Sequence, residues 1–589
     1  MARSTTGDGD NRPEPAPPSG PGRRELIMIG TPEAELRVTT TGARSLANAD
    51  LGELAGIAAD PAVVIRPLFG PSEERVLASG VPDDATDQPV GIDDTGPTLV
   101  AEMARFYHVD APDDQLDELM EQLQASPAVA GAYLKPPADL PVRADVLERL
   151  NDMPPDDGDA PPETPDFTSR QGYLDAAPGG IDARWAWTQP GGRGDAVRIV
   201  DCEWGWRFTH EDLTENQGGV IAGIADPTPD SRSTNHGTAV LGEISGDVNG
   251  IGVTGISPQA VISASAFSVA SATAIRSAAD RLGPGDLLLL EIHRGGPNYP
   301  GGDTQFGFIA IEWWPDDYLA IRYAVTKGIV VVEAAGNGSQ DLDDAVYDTP
   351  RPGFPSWWHN PFRRTSLDSG AVVVGAGAPP SGNSGPDRSR LGFSNFGACL
   401  DAQGWGREVV STGYGNLQGG GNVDLWYTSS FSGTSSASPI VVGALACTQG
   451  ALRAHGRPPL SPARARELLR STGSPQQDAT SRPASQRIGN RPDLRALIPA
   501  ALRTNQWTGV QFRGQVGAHA TKQWFTFRWP AHWHVVWHMM PVTPVVGAPE
   551  VEWDVEVERA DASRVTYWLT VRNLSGTAIN FDGRYAVLN

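Results

Sequence analysis

The sequence predicts an α/β protein built on a doubly wound, mostly parallel sheet, with a small α+β unit before it and a β-sandwich after it. Three observations lead there. Four apolar runs, AVRIV (196–200), DLLLLEI (286–292), GIVVVEAA (328–335) and AVVVGAGA (371–378), are separated by segments of helical spacing. Strands this apolar are buried on both faces, which requires a parallel sheet covered by helices. Before them, DQLDELMEQLQ (114–124) places Leu116, Leu119, Met120 and Leu123 on one helix face, between the strand-like segments ARFYHVD and AVAGAYLK. After residue 505 the helical spacing stops, and WFTFRW, HWHVVWH, VEWDVEVER and TYWLTVRNL alternate as half-buried strands do.

A chain of 589 residues exceeds one core. The boundaries read as a disordered tail (1–24), the α+β unit (25–148), a Pro/Asp-rich linker (149–170), the parallel-sheet domain (171–500) and the β-sandwich (501–589). The formal charge of −25 argues against nucleic acid or an anionic membrane as partner. No apolar run reaches the length needed to span a bilayer. The first 24 residues show no apolar core of a secretory signal, and Cys202, Cys399 and Cys447 read as small buried side chains, so a cytoplasmic compartment is the expectation.

Four polar residues fall where strands end or helices begin. Asp201 closes the first strong strand, in DCEWGWRFTHEDL (201–213). His236 lies in TNHGTAVLGEISG at the start of a helix, and Asn337 follows the strand in VVVEAAGNG. Ser435, in FSGTSSASPIVVGALA, begins an apolar helix with Pro439 in its first turn. In doubly wound sheets the functional crevice lies beyond the carboxyl ends of the strands, where all four gather. A serine hydroxyl needs an imidazole to take its proton, and the imidazole needs a buried carboxylate to hold its tautomer. An amide and a backbone N–H at a helix start supply donors for an oxyanion.

The segments around Asp201, NHGT (235–238), AAGN (334–337) and GTSSASP (433–439) resemble the four signatures of the subtilisin-like serine peptidases, in that family's chain order of acid, histidine and serine. The resemblance implies a serine endopeptidase acting on protein or peptide substrates, with no cofactor required for the chemistry. Ser435 would be the nucleophile, His236 the general base, Asp201 the orienting carboxylate and Asn337 the oxyanion donor. HEDL (210–213) and DVNGIGVTGISP (247–258) resemble stretches that hold a structural calcium in many members, which makes Asp212 and Asn249 the candidate ligands. The unit at 25–148 resembles the family's inhibitory propeptide, an intramolecular partner giving zymogen-type control, with a maturation cut expected within 146–171.

Departures from the family pattern are visible as well. The family has Asp-Ser-Gly or Asp-Thr-Gly at its first signature, whereas this chain has Asp-Cys-Glu-Trp-Gly. The substrate-binding strand, usually Ser-Leu-Gly-Gly, reads LEIHRGGP (290–297). Arg294 favours acidic side chains in the pocket for the residue before the scissile bond, and Asp341, Asp343 and Asp344 favour basic ones, so that preference stays open. The aromatic insert IEWWPDDY (311–318) reads as core or as an extra cleft wall.

Overall fold

The structure, a computed structural model, describes residues 23–39, 42–78, 99–141, 163–223, 231–503, 506–531, 533–542, 547–561 and 564–588. The tail expected over 1–24 and the linker residues 149–162 fall outside these, apart from Arg23 and Arg24. The chain divides into two compact units. The first holds most residues up to 497, so the α+β unit and the parallel-sheet domain are one body; the second is dominated by 498–589.

The N-terminal part of the first unit is a four-stranded antiparallel sheet with one long helix against it. Its strands are β1 (Glu25–Gly30), β2 (Val64–Pro67), β3 (Phe106–Asp110) and β4 (Val129–Lys135), in the order β2-β3-β1-β4, and its helix is α1 (Leu116–Ala125). Leu116, Leu119 and Leu123 are buried from the helix, with Met120 packed against the same core. That is the face the i, i+3, i+7 spacing predicts. A short strand, β5 (Ala138–Asp139), leaves this sheet and runs to the next.

The parallel sheet is seven-stranded. Its strands are β6 (Arg198–Glu203), β7 (Gln217–Ala222), β8 (Val261–Ala266), β9 (Leu287–Leu290), β12 (Val330–Ala334), β13 (Val372–Gly377) and β14 (Leu400–Trp405), in the order β14-β13-β12-β9-β6-β8-β7. Every pair is parallel. From β6 the chain passes to the edge at β7, returns to β8 beside β6, and then crosses to the other side through β9, β12, β13 and β14, so the strand order reverses beside β6. A doubly wound sheet opens its crevice at that reversal. Two further short strands, β10 (His293–Gly295) and β11 (Phe308–Ile309), pair antiparallel beyond the end of β9. The helices that matter for the site are α2 (Ser231–Ser245), α3 (Ser271–Ala279), α4 (Pro315–Thr326) and α5 (Thr434–Ala454). The last residues of the expected linker are ordered against this domain: Phe167 N–H donates to Gly252 O, and its ring packs on Tyr427.

The C-terminal unit is two three-stranded antiparallel sheets. One is β15 (Gln506–Val516), β20 (Ile579–Leu588) and β17 (Val535–Pro541), with β20 central; the other is β16 (Thr521–Pro530), β19 (Arg564–Asn573) and β18 (Val551–Arg559), with β19 central. The two inner faces share one core of Trp529, Trp537, Met539, Tyr567, Leu569 and Phe581. Trp537 is part of this core. The three cysteines are free thiols and buried. Among the described residues no helix is long and apolar enough to cross a membrane.

Candidate active site

Asn337 meets the start of α5 through Thr434, the residue before Ser435, and the His236 ring packs edge-on against Phe431, three residues before that helix. His236 lies in the second turn of α2 and is fully buried. Its approach to the end of β6 depends on Gly237, where an added Cβ would meet the Gly205 carbonyl oxygen at 2.2 Å. Only a hydrogen at that position lets helix and strand end touch.

The carboxylate that meets the imidazole is Glu203. Its Oε2 lies 2.7 Å from His236 Nδ1, and both side chains are fully buried. Asp201, expected to fill this role, instead accepts a hydrogen bond from Trp206 Nε1 at 2.7 Å through Oδ2. The assignment of Asp201 as the partner of His236 is thus corrected to Glu203. Asp201 and Glu203 are two apart on one strand, so both point to the same face, and the residue nearer the carboxyl end reaches the crevice. The pattern the family uses, an acid, any residue and then glycine, is present here as Glu203-Trp204-Gly205 and carried the missing signal.

The two carboxyls interact strongly. Burial pushes the Glu203 carboxyl well above the usual range, and the neighbouring charge of Asp201 pushes it further. Burial raises Asp201 to about 6, moderated by the neighbouring Glu203 carboxyl and by the hydrogen bond from Trp206. His236 is held well below its ordinary value by burial, then by the charges of Arg232 and His293, so it is a neutral imidazole at pH 7. Its Nε2 has no hydrogen-bond partner among the described residues.

Ser435 is the second residue of α5. Pro439 sits one turn deeper than expected, in the second turn, so the Ser435 carbonyl lacks its intrahelical donor. Ser435 Oγ donates to the carbonyl oxygen of Pro141 at 2.8 Å, and the Ser435 backbone N–H donates to the same oxygen at 3.2 Å. Asn337 Oδ1 accepts from the Thr434 backbone N–H at 3.0 Å and from Thr434 Oγ1 at 3.1 Å. That pair of bonds fixes the amide so that Nδ2 faces away from Thr434, and it reaches Gln305 Oε1 at 3.5 Å. Gln305 Nε2 in turn donates to Leu140 O at 3.2 Å.

The segment that brings Pro141 here lies as an added strand. β5 pairs antiparallel with β10, His293 opposite Asp139 and Arg294 opposite Ala138. Arg232 Nη2 reaches Asp139 Oδ1 at 2.7 Å. The residue at Ser435 is Pro141, upstream of the 146–171 stretch in which a cut was expected. Farther back, Tyr133 stacks on Trp314 at 6.2 Å and meets Phe354 edge-on at 4.9 Å. Trp313, Trp314 and Trp358 form one buried aromatic cluster with Phe354, so the insert is core that also receives the N-terminal sheet.

Neither charge read as a pocket determinant lies at Ser435. Arg294 is fully buried and donates to Pro136 O at 2.6 Å and to Glu25 Oε1 at 2.5 Å. Asp341, Asp343 and Asp344 accept from the backbone N–H groups of Asp343, Ala398 and Val346, which makes them turn and cap residues.

The candidate calcium ligands do not fit a cation. Asp212 is buried, with Oδ1 taking a hydrogen bond from Asn249 Nδ2 at 2.9 Å and Oδ2 one from Val253 N–H at 2.6 Å. Both oxygens face donors where an ion needs a ring of acceptors. Among the described residues no cluster of three His, Cys, Asp or Glu side chains is arranged for a metal.

Residues 296–490 match the model of the subtilase family, a span that includes Asn337 and Ser435 and begins after Glu203 and His236. Subtilisin DY of Bacillus licheniformis is 29% identical over 294 residues, covering 48% of this chain and 86% of that protein. Thermitase of Thermoactinomyces vulgaris is 28% identical over 308 residues, covering 50% and 86%. Subtilisin amylosacchariticus of Bacillus subtilis subsp. amylosacchariticus is 28% identical over 288 residues, covering 48% of this chain and 61% of that protein, so the match spans about three-fifths of that relative. Among solved structures, fervidolysin from Fervidobacterium pennivorans, described as a keratinolytic enzyme related to subtilisin, aligns over 98% of this chain and 73% of its own, with 15% identity and a TM-score of 0.46. Together with the parallel sheet, these matches support a subtilisin-like serine peptidase domain in this chain.

Proposed function

We propose that the chain is a serine endopeptidase held latent by its own N-terminal segment, with Glu203 as the acid of its triad. The observation that carries the reading is the paired contact of Ser435: its hydroxyl and its backbone N–H both address one carbonyl, that of Pro141. A peptide carbonyl beside a helix-start N–H and a serine hydroxyl is the arrangement from which acyl transfer begins.

In this mechanism His236 Nε2 accepts the Ser435 proton as Oγ attacks the carbonyl carbon. Ionised Glu203 accepts from Nδ1–H, which keeps Nε2 free as the acceptor and stabilises the imidazolium that forms. The oxyanion receives the Ser435 backbone N–H and, once Gln305 releases it, Asn337 Nδ2. His236 then protonates the leaving amine, the acyl-enzyme forms on Ser435, and water reverses the sequence. The substrate backbone adds as a strand on β10, as residues 138–139 do here.

Control by the N-terminal sheet rests on the same geometry, since Pro141 and β5 occupy the places a substrate needs. The bond after Pro141 is the one presented to Ser435. Mass spectrometry of the purified chain tests both parts. The wild type should yield a fragment ending at Pro141, and Ser435→Ala should stay whole. A fragment that persists in Ser435→Ala refutes the assignment of the nucleophile.

A further inference from the structure

Beneath the docked segment five charged side chains meet out of water. Lys135 Nζ lies 2.7 Å from Asp316 Oδ2, 2.8 Å from Asp317 Oδ2 and 3.2 Å from Glu25 Oε2. It also donates to Ser271 Oγ at 2.9 Å, and Tyr133 donates to the other oxygen of Asp316 at 3.0 Å. Arg294 completes the group through Glu25 and through Ser271 Oγ at 3.3 Å, and its Nε is buried with no hydrogen-bond partner among the described residues. Lys135, Asp316, Asp317 and Arg294 are fully buried. A lysine is almost never buried so completely without dedicated partners.

The ownership of these groups is uneven. Lys135 and Glu25 belong to the N-terminal sheet, at the end of β4 and the start of β1. Asp316 and Asp317, in the first turn of α4, Ser271 at the start of α3 and Arg294 on β10 belong to the peptidase domain. When the N-terminal sheet leaves, two acidic side chains and the Ser271 hydroxyl remain beside one guanidinium, a pocket of acceptors shaped around an ammonium. The spacing to the catalytic serine is set by the chain itself. Lys135 lies six residues before Pro141, about 20 Å of extended strand, with Pro136 and Pro137 stiffening the start and the β5–β10 pairing fixing the register at the end.

We propose that the Asp316–Asp317–Ser271 pocket is a lysine-recognition site of the peptidase domain, selecting peptides that carry a lysine six residues before the residue whose carbonyl meets Ser435. The N-terminal segment is the first such peptide, and the pocket extends recognition far beyond the strand that pairs with β10. This inference rests on the proposed substrate groove, and its test is a binding measurement that needs no turnover.

Two full-length variants loosen the N-terminal sheet in different ways. Lys135→Met empties the pocket of its cation. Gly131→Ala leaves the pocket intact but drives a Cβ to 2.2 Å from the Gly353 carbonyl oxygen, a backbone contact that must yield. A fluorescein-labelled peptide of residues 133–141, YLKPPADLP, is titrated against each by anisotropy, beside the same peptide with norleucine in place of lysine. The lysine peptide should bind about thirtyfold more tightly to either variant, because removing one member of a buried charge pair strands the other. Adding Asp317→Asn should bring the difference below about fivefold. Binding of both peptides with equal affinity, or a preference unchanged by Asp317→Asn, overturns the proposal. Labelling of Ser435 by a fluorophosphonate in the same variants reports the peptidase reading separately, so loss of one result leaves the other legible.

Discussion

Replacing Glu203 separates the two carboxylates that the first signature offers. Glu203→Met keeps nearly the same length but leaves His236 Nδ1 with no acceptor. Glu203→Gln keeps an acceptor: its carbonyl can take Nδ1–H while its amide donates to Asp201 Oδ1, which has no hydrogen-bond partner among the described residues. The glutamine variant therefore preserves the tautomer and loses only the charge. A carboxylate and an imidazolium about 4 Å apart between charge centres interact by about 4 kcal/mol at an effective dielectric constant of about 20. That corresponds to about 10³ in kcat. The methionine variant loses orientation as well and should fall by about 10⁴, close to the roughly 3 × 10⁴ that loss of the catalytic aspartate costs in subtilisin. Asp201→Asn keeps the acceptor for Trp206 and gives Glu203 a donor, so it should stay within about tenfold of wild type. Because the charge of Asp201 raises the Glu203 carboxyl, the acid limb of its pH profile should move to lower pH. The assay is kcat/KM on a peptide anilide with the linker-cut chain, normalised by fluorophosphonate titration of Ser435. A Glu203→Met enzyme within tenfold of wild type, or an Asp201→Asn enzyme down a thousandfold, would refute the assignment.

Asn337→Leu should lower kcat by about 10²–10³ with KM nearly unchanged, the loss expected for one oxyanion donor and a figure carried over from subtilisin; an unchanged kcat would remove Asn337 from the mechanism. Stability should fall as pH rises from 6.5 to 8.5. Asp212 and Asp317 are raised to about 8 and about 7, chiefly by burial, so the folded chain holds protons that the unfolded chain has lost, and that advantage disappears as pH climbs through those values. The buried His210 and His293, lowered to about 4, contribute stability above pH 6.5 that is lost only on acidification, so they do not compensate in this window. About 2 kcal/mol should be lost across the window. A thermal midpoint that rises with pH there contradicts the burial argument. In the C-terminal unit, Trp529→Ala should destabilise by about 3–5 kcal/mol, since its ring packs on Trp533, Trp537, Tyr567 and Tyr585. Calorimetry showing no change would mean that the two sheets do not share that core.

Much of this was readable from pattern because the relevant physics is local. The runs VVVEA and VVVGAG are apolar on both faces, and they form central strands of the parallel sheet, buried throughout. Ser435 and His236 stand in glycine-rich helix starts, where close backbone approach is written into the residues themselves. What pattern does not carry is pairing between distant segments. Arg294 looked like a pocket charge until Glu25 and Pro136 were found against it, from 269 and 158 residues away. The stretch in which a cut was expected, 146–171, is not the one that meets Ser435. A Pro/Asp-rich linker announces where a chain can be cut, but the register of β5 on β10 determines which carbonyl reaches the serine.

The misassigned acid shows the limit most sharply. Asp201 and Glu203 share one face of β6, so strand periodicity cannot separate them, and residue type favoured the aspartate. Distance along the strand decides instead. Two residues add about 6.6 Å, more than the length of either side chain, so only one of the pair can reach an imidazole fixed by Gly237. The glycine that permits the approach also dates the choice: Gly205, whose carbonyl oxygen Gly237 crowds, lies two residues beyond Glu203, as acid and glycine are spaced in the family signature. Asp201 then acquires a different part. Lying behind Glu203 and tied to Trp206, it adds its charge to the burial that raises the carboxyl in front of it.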